Sequence, residues 1–136
     1  MDAQQIGIAI VEHNDRYLVG TRATDQELAG HAEFPGGKCE PGETPSSCAA
    51  RECLEETGLA VEPFEMLDQV RFKYPHATVD LHFWICRLTS EHDQPENGFA
   101  WLTLGELQSL NFPAANASIP AKLQERRARL DPPNAN

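Results

Sequence analysis

The chain has 136 residues, of which 40% are hydrophobic and 24% are charged, and its formal net charge is −10. This length fits one domain with a single hydrophobic core, so we expect one domain spanning residues 1–136. The acidic balance argues against a protein that binds the backbone of duplex nucleic acid. No stretch reaches the roughly 20 apolar residues of a membrane helix, and the acidic start does not resemble a signal peptide.

The cysteines give a further indication of the compartment. They form no Cys-x-x-Cys pair and no Cys/His spacing typical of zinc, and a chain of this size does not need a disulfide framework. We therefore expect free thiols and a cytoplasmic protein. The four residues are Cys39, Cys48, Cys53 and Cys86.

The first predicted elements are two strands and a helix. QQIGIAIVEH and YLVGTR are rich in β-forming residues, and Asn14 and Asp15 between them predict a hairpin turn. A polar loop over residues 23–31 leads into AEFPGGK. A helix is predicted from Thr44, a suitable N-cap, to Gly58, which can end it.

The second half of the chain predicts three strands and two helices. FEMLDQVRFKY and VDLHFWICRL are long enough to be strands, FAWL is a short strand, and TLGELQSL and SIPAKLQERRARL have helical patterns. We interpret the basic residues 122–129 as the polar face of the terminal helix, which ends in a frayed DPPNAN tail. This order predicts an α/β protein, a mixed sandwich rather than a regular βαβ series.

The predicted helix carries several carboxylates on one face. Glu55 and Glu56 lie within about 60° of Glu52 at 100° per residue, so the three acids converge. A solvated acidic face is the usual explanation of such a cluster, and a metal site is the alternative. The opposite face, expected to point to the core, consists of Ala50, Cys53, Leu54 and Thr57.

Two features favour the metal site. The helix follows a PGGK turn, whose glycines allow close backbone approach to a ligand and whose Lys38 can meet a phosphate. The second feature is a fixed spacing: Gly37, five residues, Glu43, seven residues, Arg51-Glu52, two residues, Glu55-Glu56, one residue, then Gly58 and Leu59. This spacing resembles the Nudix box of hydrolases that act on nucleoside diphosphates linked to another group. Cys53 departs from the bulky aliphatic residue usual at its position.

The resemblance implies a Nudix fold, a mixed β-sheet sandwiched between helices, and a site for Mg²⁺, with Mn²⁺ possible. Glu52 would also be the candidate general base, and Arg51 and Glu43 would form an orienting ion pair. A further acidic ligand is expected from a distant loop, where Glu96 is preferred and Asp93 and Glu91 are rivals. The implied metal ligands are the carbonyl oxygen of Gly36 and the side chains of Glu52, Glu55, Glu56 and Glu96.

The resemblance extends beyond the box, and is strongest to family members that hydrolyse oxidised guanine nucleotides. It implies that Arg22, Phe34 and Asn116 surround a purine, although Asn116 also suits a turn or a helix cap. His76-Ala77 replaces an acidic-basic pair usual after the third long strand, which bears on substrate selectivity.

The expected function is Mg²⁺-dependent hydrolysis of a nucleoside triphosphate, with 8-oxo-dGTP preferred, to the monophosphate and pyrophosphate. Alternatives are a CTP or methylated pyrimidine triphosphate as substrate, or a non-catalytic module that reads base lesions. The expected partner is the small-molecule nucleotide alone, with no duplex nucleic acid, membrane or obligate protein partner.

Overall fold

A computed structural model describes residues 3–22 and 30–130. Most of the predicted polar loop (23–29) and the predicted frayed tail (131–136) lie outside the described residues. The elements in chain order are β1 Gln4–His13, β2 Arg16–Thr21, β3 Ala32–Glu33, β4 Gly36–Lys38, α1 Pro45–Thr57, β5 Val61–Tyr74, β6 Ala77–Leu88, β7 Ala100–Thr103, α2 Leu104–Gln108, a 3₁₀ turn Ala114–Asn116 and α3 Ile119–Leu130.

The predicted first hairpin is confirmed. Strands β1 and β2 pair in antiparallel fashion, with Glu12 opposite Tyr17 and His13 opposite Arg16. Between them, Asn14 and Asp15 both have positive φ angles, 51° and 60°. Two successive left-handed residues match the right-handed twist of a two-residue hairpin, which explains why asparagine and aspartate stand there.

One mixed sheet forms the centre of the molecule. Its strand order is β3-β2-β1-β6-β5, with β4 paired to β1 and β7 paired to β2. Strands β1 and β6 run parallel, and the other pairs are antiparallel. The short strands β3 and β4 were not predicted, because two or three residues beside Pro35 and two glycines carry no alternating pattern.

Alternation along β1 sends side chains to two different hydrophobic cores. Ile8 and Ile10 pack on one face, with residues of α2 and α3 such as Leu107 and Leu123. Ala9 belongs to the core on the other face, where α1 packs. The sheet therefore lies between helices, as the sequence predicted.

Helix α1 lies close to β1 because Gly7 has no side chain. A Cβ at Gly7 would lie 2.5 Å from the carbonyl oxygen of Pro45 and 2.8 Å from the backbone nitrogen of Ala49. This approach decides which helix face is buried. The core-facing residues are Cys48, Ala49, Cys53 and Thr57.

Two residues predicted to face the core are therefore placed differently. Leu54 is 53% exposed and Ala50 is only half-buried. The residues nearest Gly7, Cys48 and Ala49, take the inner position instead because they are small enough to fit against the strand.

The prediction that residues 122–129 form only a polar face is wrong at Arg126, which is buried in α3. Its guanidinium donates to Glu12 at 3.1 Å and to Glu65 at 3.2 Å, so two carboxylates offset its charge. Burial acts to lower the pKa of Arg126, but its two acidic partners raise it overall, so it stays charged. Arg126 therefore ties α3 to β1 and β5.

The helices are short, with 13, 5 and 12 residues in α1, α2 and α3. Within residues 3–22 and 30–130, none is long and apolar enough to span a membrane. Helix α2 begins after Thr103, which forms a capping box with Glu106. It is shorter than the predicted TLGELQSL helix because Ser109 already caps its C-terminus.

The contact at Gly7 gives a test of the packing. Gly7→Ala places a methyl group against helix backbone atoms that cannot move without shifting α1, so we expect a loss of about 1–3 kcal/mol in the free energy of unfolding. Chemical denaturation measures it. Gly105→Ala is the matched control: its Cβ would find only the Thr103 hydroxyl, 4.0 Å away, and we expect unchanged or slightly higher stability. Equal effects of the two substitutions would contradict the close approach.

Candidate active site

Both ends of α1 are fixed, which sets the direction of every side chain on the helix. At the start, the Thr44 hydroxyl accepts a hydrogen bond from the backbone nitrogen of Ser47 at 3.2 Å. At the end, Gly58 has a φ of 78° and its N–H donates to the Leu54 carbonyl at 3.0 Å. These are the predicted caps, and they hold the acidic residues of the helix in a defined register.

Arg51 is the centre of a network of acidic side chains. Its Nε and Nη2 atoms donate to the two oxygens of Glu43 at 2.7 and 2.9 Å, a bidentate pair. Its Nη1 atom donates to Glu52 at 3.1 Å and to Glu55 at 3.2 Å. A further bond reaches the Lys38 carbonyl at 3.1 Å, which ties the helix to the loop before it.

The ion pair predicted between Arg51 and Glu43 is therefore present. The hydrogen bonds from Arg51 lower the pKa of Glu43 to about 2, with help from the backbone N–H of Glu40. The same carboxylates raise the pKa of Arg51. Both groups stay charged over the whole physiological range, so this anchor does not depend on pH.

Glu52 and Glu56 form a close pair of carboxyl groups one helical turn apart. Glu52 lies directly over Gly37, where a Cβ would come within 2.5 Å of its carboxyl carbon. Glu56 accepts a long hydrogen bond of 3.4 Å from the N–H of Gly36. Burial, and to a smaller extent the hydrogen bond with Glu52, together raise the pKa of Glu56 to about 8. Glu56 therefore carries a proton at neutral pH and is hydrogen-bonded to Glu52.

The five predicted metal ligands separate into two groups. Gly36, Glu52 and Glu56 come together. Glu55 instead contacts Arg51 on the exposed side of the helix. Glu96 has its backbone N–H bonded to the Thr57 carbonyl at 2.9 Å, and its carboxylate packs on Gly58, where a Cβ would overlap it.

Over residues 3–22 and 30–130, no three Asp, Glu, His or Cys side chains are arranged as a ready-made metal cage. The donor chemistry nevertheless suits a hard divalent cation, because Glu52 and Glu56 offer carboxylate oxygens next to the Gly36-Gly37 backbone. In the metal-free protein, a proton on Glu56 and the Arg51 guanidinium beside Glu52 offset the negative charge that a cation would neutralise.

The predicted base-binding residues line one cavity of about 530 Å³, which also reaches the loop Gly36–Lys38. Arg22 donates to Glu33 at 3.4 Å, and Phe34 stacks on Phe112 with ring centroids 5.0 Å apart. The structure thus brings together, in a single concave site, the candidate phosphate end and the candidate base end.

Asn116 stands at the end of the 3₁₀ turn, where its backbone N–H bonds to the Pro113 carbonyl at 2.8 Å. Its side-chain oxygen is buried and has no hydrogen-bond partner among the residues that the structure describes. An uncompensated buried acceptor costs free energy, and a donor on a bound ligand would offset that cost. Of the two alternatives for Asn116, the turn agrees with its backbone position in Ala114–Asn116, whereas its side-chain oxygen caps no helix among the described residues.

Glu33 and Tyr74 are among the cavity residues that were not identified from the sequence as site residues. Glu33, next to Phe34, has its pKa raised by burial, an effect that Arg22 partly opposes. Tyr74 lines the same cavity, as does His76. The alternation of β5 could have indicated Tyr74, because it follows Phe72 on the same strand face. Glu33 carries no such signal, since β3 was not predicted.

Comparisons with known proteins identify the family. A family model described as the NUDIX domain matches residues 7–122. The 8-oxo-dGTP diphosphatase of Escherichia coli (strain K12) is 32% identical over 127 residues, covering 91% of this chain and 98% of that protein. The CTP pyrophosphohydrolase of the same strain is 28% identical over 116 residues, covering 85% and 86%.

The fold agrees as well. The solution structure of the E. coli ORF135 protein matches with a TM-score of 0.81 at 23% identity, covering 97% of this chain and 96% of that chain. Enzymes of this family generally use divalent metals and hydrolyse pyrophosphate bonds, which accords with the paired carboxyl groups on α1. By its sequence, its fold and the residues of its box, this chain belongs to the Nudix hydrolase family.

Proposed function

We propose that the chain is a Mg²⁺-dependent 8-oxo-dGTP diphosphatase of the cytoplasm, which yields 8-oxo-dGMP and pyrophosphate and so removes an oxidised nucleotide from the precursor pool. One observation carries the proposal: a single cavity joins Asn116, with its unpaired buried oxygen, to the Gly36–Lys38 loop beside the Glu52–Glu56 pair. The name of the E. coli relative supports the same substrate.

Glu52, Glu56 and the Gly36 carbonyl would hold the metal, with Glu55 and Glu96 as further oxygen donors. When bound, Mg²⁺ neutralises phosphate charge and lowers the pKa of a bound water. Mn²⁺ offers the same chemistry to the same oxygen ligands. Glu56 must lose its proton before it can ligate, because a metal binds the ionised carboxylate.

The remaining box residues position the reacting groups. Glu52 is the candidate general base, and Arg51 holds its carboxylate through the 3.1 Å hydrogen bond. Glu43 in turn fixes the guanidinium of Arg51 by the bidentate pair. Lys38 is exposed at the cavity, where its ammonium group can meet phosphate oxygens of the substrate.

The base end of the cavity suits an oxidised purine. Oxidation of guanine at C8 replaces the acceptor at N7 with an N–H donor, which the unpaired oxygen of Asn116 can receive. Unmodified guanine leaves that oxygen unpaired. Phe34 adds an apolar contact, and Arg22 lies on the same wall.

Two alternatives remain open to test. The CTP pyrophosphohydrolase relative suggests a pyrimidine triphosphate, and a lesion-reading module would bind without turnover. Pyrophosphate release from 8-oxo-dGTP, dGTP, CTP and 5-methyl-dCTP, with and without Mg²⁺, separates them. We expect Mg²⁺-dependent release that is fastest from 8-oxo-dGTP. Faster release from CTP would assign the alternative substrate, and no release from any of them would favour the binding module.

The raised pKa of Glu56 predicts how Mg²⁺ affinity depends on pH. Because burial raises the pKa of Glu56 to about 8, Mg²⁺ has to displace a proton below that pH. We expect the affinity to rise as pH increases toward 8 and then to level off, and Mg²⁺ binding at pH 7 to release a proton. Calorimetry in buffers of different ionisation enthalpy measures both.

Glu56→Gln is the control for this measurement. It removes the titrating group and keeps the size of the side chain, so the pH dependence and the proton release should both disappear. Without metal, the variant should have a higher melting temperature than the parent at neutral pH. Its neutral amide does not carry the free-energy cost of burying the Glu56 carboxyl group. Proton release that persists in the variant would place the titrating group elsewhere.

Substitution of Asn116 should change the selectivity between nucleotides and leave the dependence on Mg²⁺ unchanged. Asn116→Ala removes the acceptor, so the preference for 8-oxo-dGTP over dGTP in kcat/KM should fall by about 5- to 150-fold, which corresponds to roughly 1–3 kcal/mol for one unpaired buried group. Asn111→Ala is the matched control, because Asn111 is exposed and outside the cavity lining. An equal loss with both nucleotides would make Asn116 a structural residue.

A further inference from the structure

A row of aromatic rings ends at the rim of the nucleotide cavity. The rings of Phe72 and Tyr74 have centroids 4.8 Å apart and are tilted by 50°. Tyr74 in turn stacks on His76, with centroids 6.5 Å apart and an angle of 29°. Tyr74 and His76 both line the cavity that holds Asn116 and Phe34.

The geometry of the sheet places Tyr74 on the cavity side. Side chains two residues apart on a strand share a face, so Tyr74 follows Val70 and Phe72. Those two residues pack against the same core as Ile8 and Leu81, which also line the cavity. The cavity floor is therefore the apolar face of the sheet, and Tyr74 continues that face at the end of β5.

Tyr74 is nevertheless left 41% exposed, although it is a large aromatic side chain. Its neighbour Phe72 is anchored against the core, and His76 packs on it from the turn. The ring is thus supported by its neighbours and partly exposed, at a position that lines this cavity and a second one beside Pro75.

We propose that Tyr74 is a specificity-determining residue that stacks on the face of the nucleobase. This proposal rests on the proposed function. Asn116 can read only the edge of a flat base, which leaves the faces of its ring to be covered by apolar or aromatic groups. Stacking on an aromatic side chain contributes to affinity for any base, and a purine offers more ring area than a pyrimidine. Tyr74 therefore favours a purine nucleotide in this cavity over a pyrimidine nucleotide.

Four variants test the stacking. Tyr74→Ala removes the ring, Tyr74→Phe keeps the ring without the hydroxyl, and Tyr74→Leu keeps apolar packing on Phe72 without an aromatic face. Phe64→Ala is the matched control, because Phe64 is also 41% exposed on β5 but does not line the cavity. The binding of 8-oxo-dGMP, dGMP and dCMP, measured by calorimetry with Mg²⁺ present, reports on the base without turnover, and melting curves report on folding.

We expect Tyr74→Ala and Tyr74→Leu to weaken 8-oxo-dGMP binding by about 5- to 150-fold, the range for one stacked base, and dCMP binding by less. Tyr74→Phe and Phe64→Ala should stay close to the parent. In turnover, the change should appear in KM, with kcat nearly constant. Full affinity in Tyr74→Leu would overturn the proposal, as would a loss in Tyr74→Phe equal to that in Tyr74→Ala.

The outcome also separates this proposal from the proposed function. If the parent protein does not hydrolyse 8-oxo-dGTP but Tyr74→Ala still weakens purine monophosphate binding more than dCMP binding, the stacking stands and the substrate assignment fails. If the parent hydrolyses 8-oxo-dGTP and Tyr74→Ala binds all three nucleotides as the parent does, the stacking fails and the function stands.

Discussion

The repulsion between the carboxyl groups of Glu52 and Glu56 is the constraint on which the site depends. The two groups lie one turn apart against the Gly36-Gly37 backbone, and both are partly buried. Without a cation, the pair is held by the proton on Glu56, which is hydrogen-bonded to Glu52, and by the Arg51 guanidinium, which donates to Glu52 at 3.1 Å. Because Arg51 is itself fixed by Glu43, the acids keep their positions before any ligand arrives.

This arrangement lowers the stability of the metal-free protein, and the raised pKa of Glu56 determines how that stability changes with pH. Burial raises the pKa of Glu56 from 4.5 to about 8, so between these values the folded chain holds a proton that the unfolded chain releases. Stability therefore falls as pH rises through this window and does not fall further above it. The small inner face of α1 makes the arrangement possible, since Gly7 and Ala49 let the helix lie close to the sheet.

The sequence predicted the helix and the box well because their signals are local. Thr44, Gly58 and the acidic spacing act within one helix, and the Asn14-Asp15 turn acts within one hairpin. Features that depend on distant contacts were not predicted. Strand β4 pairs with β1, which is distant in the sequence. Leu54 is exposed because Cys48 and Ala49 take the position next to β1. Arg126 is buried where it binds Glu12 of β1 and Glu65 of β5. For the same reason Glu33 and Tyr74 were not predicted as site residues, because only the folded chain shows that they line the cavity.

The central claim is that Glu52, Glu56 and Gly36 together hold a divalent cation, and the position of a bound metal tests it most directly. Mn²⁺ can be located by anomalous diffraction from crystals soaked in MnCl₂ at a pH above that at which Glu56 loses its proton. An anomalous peak bounded by both carboxylates and the Gly36 carbonyl, with Arg51 still bound to Glu43, is the predicted result. Mn²⁺ found only at other acidic groups, with Glu52 and Glu56 still hydrogen-bonded to each other, would contradict it.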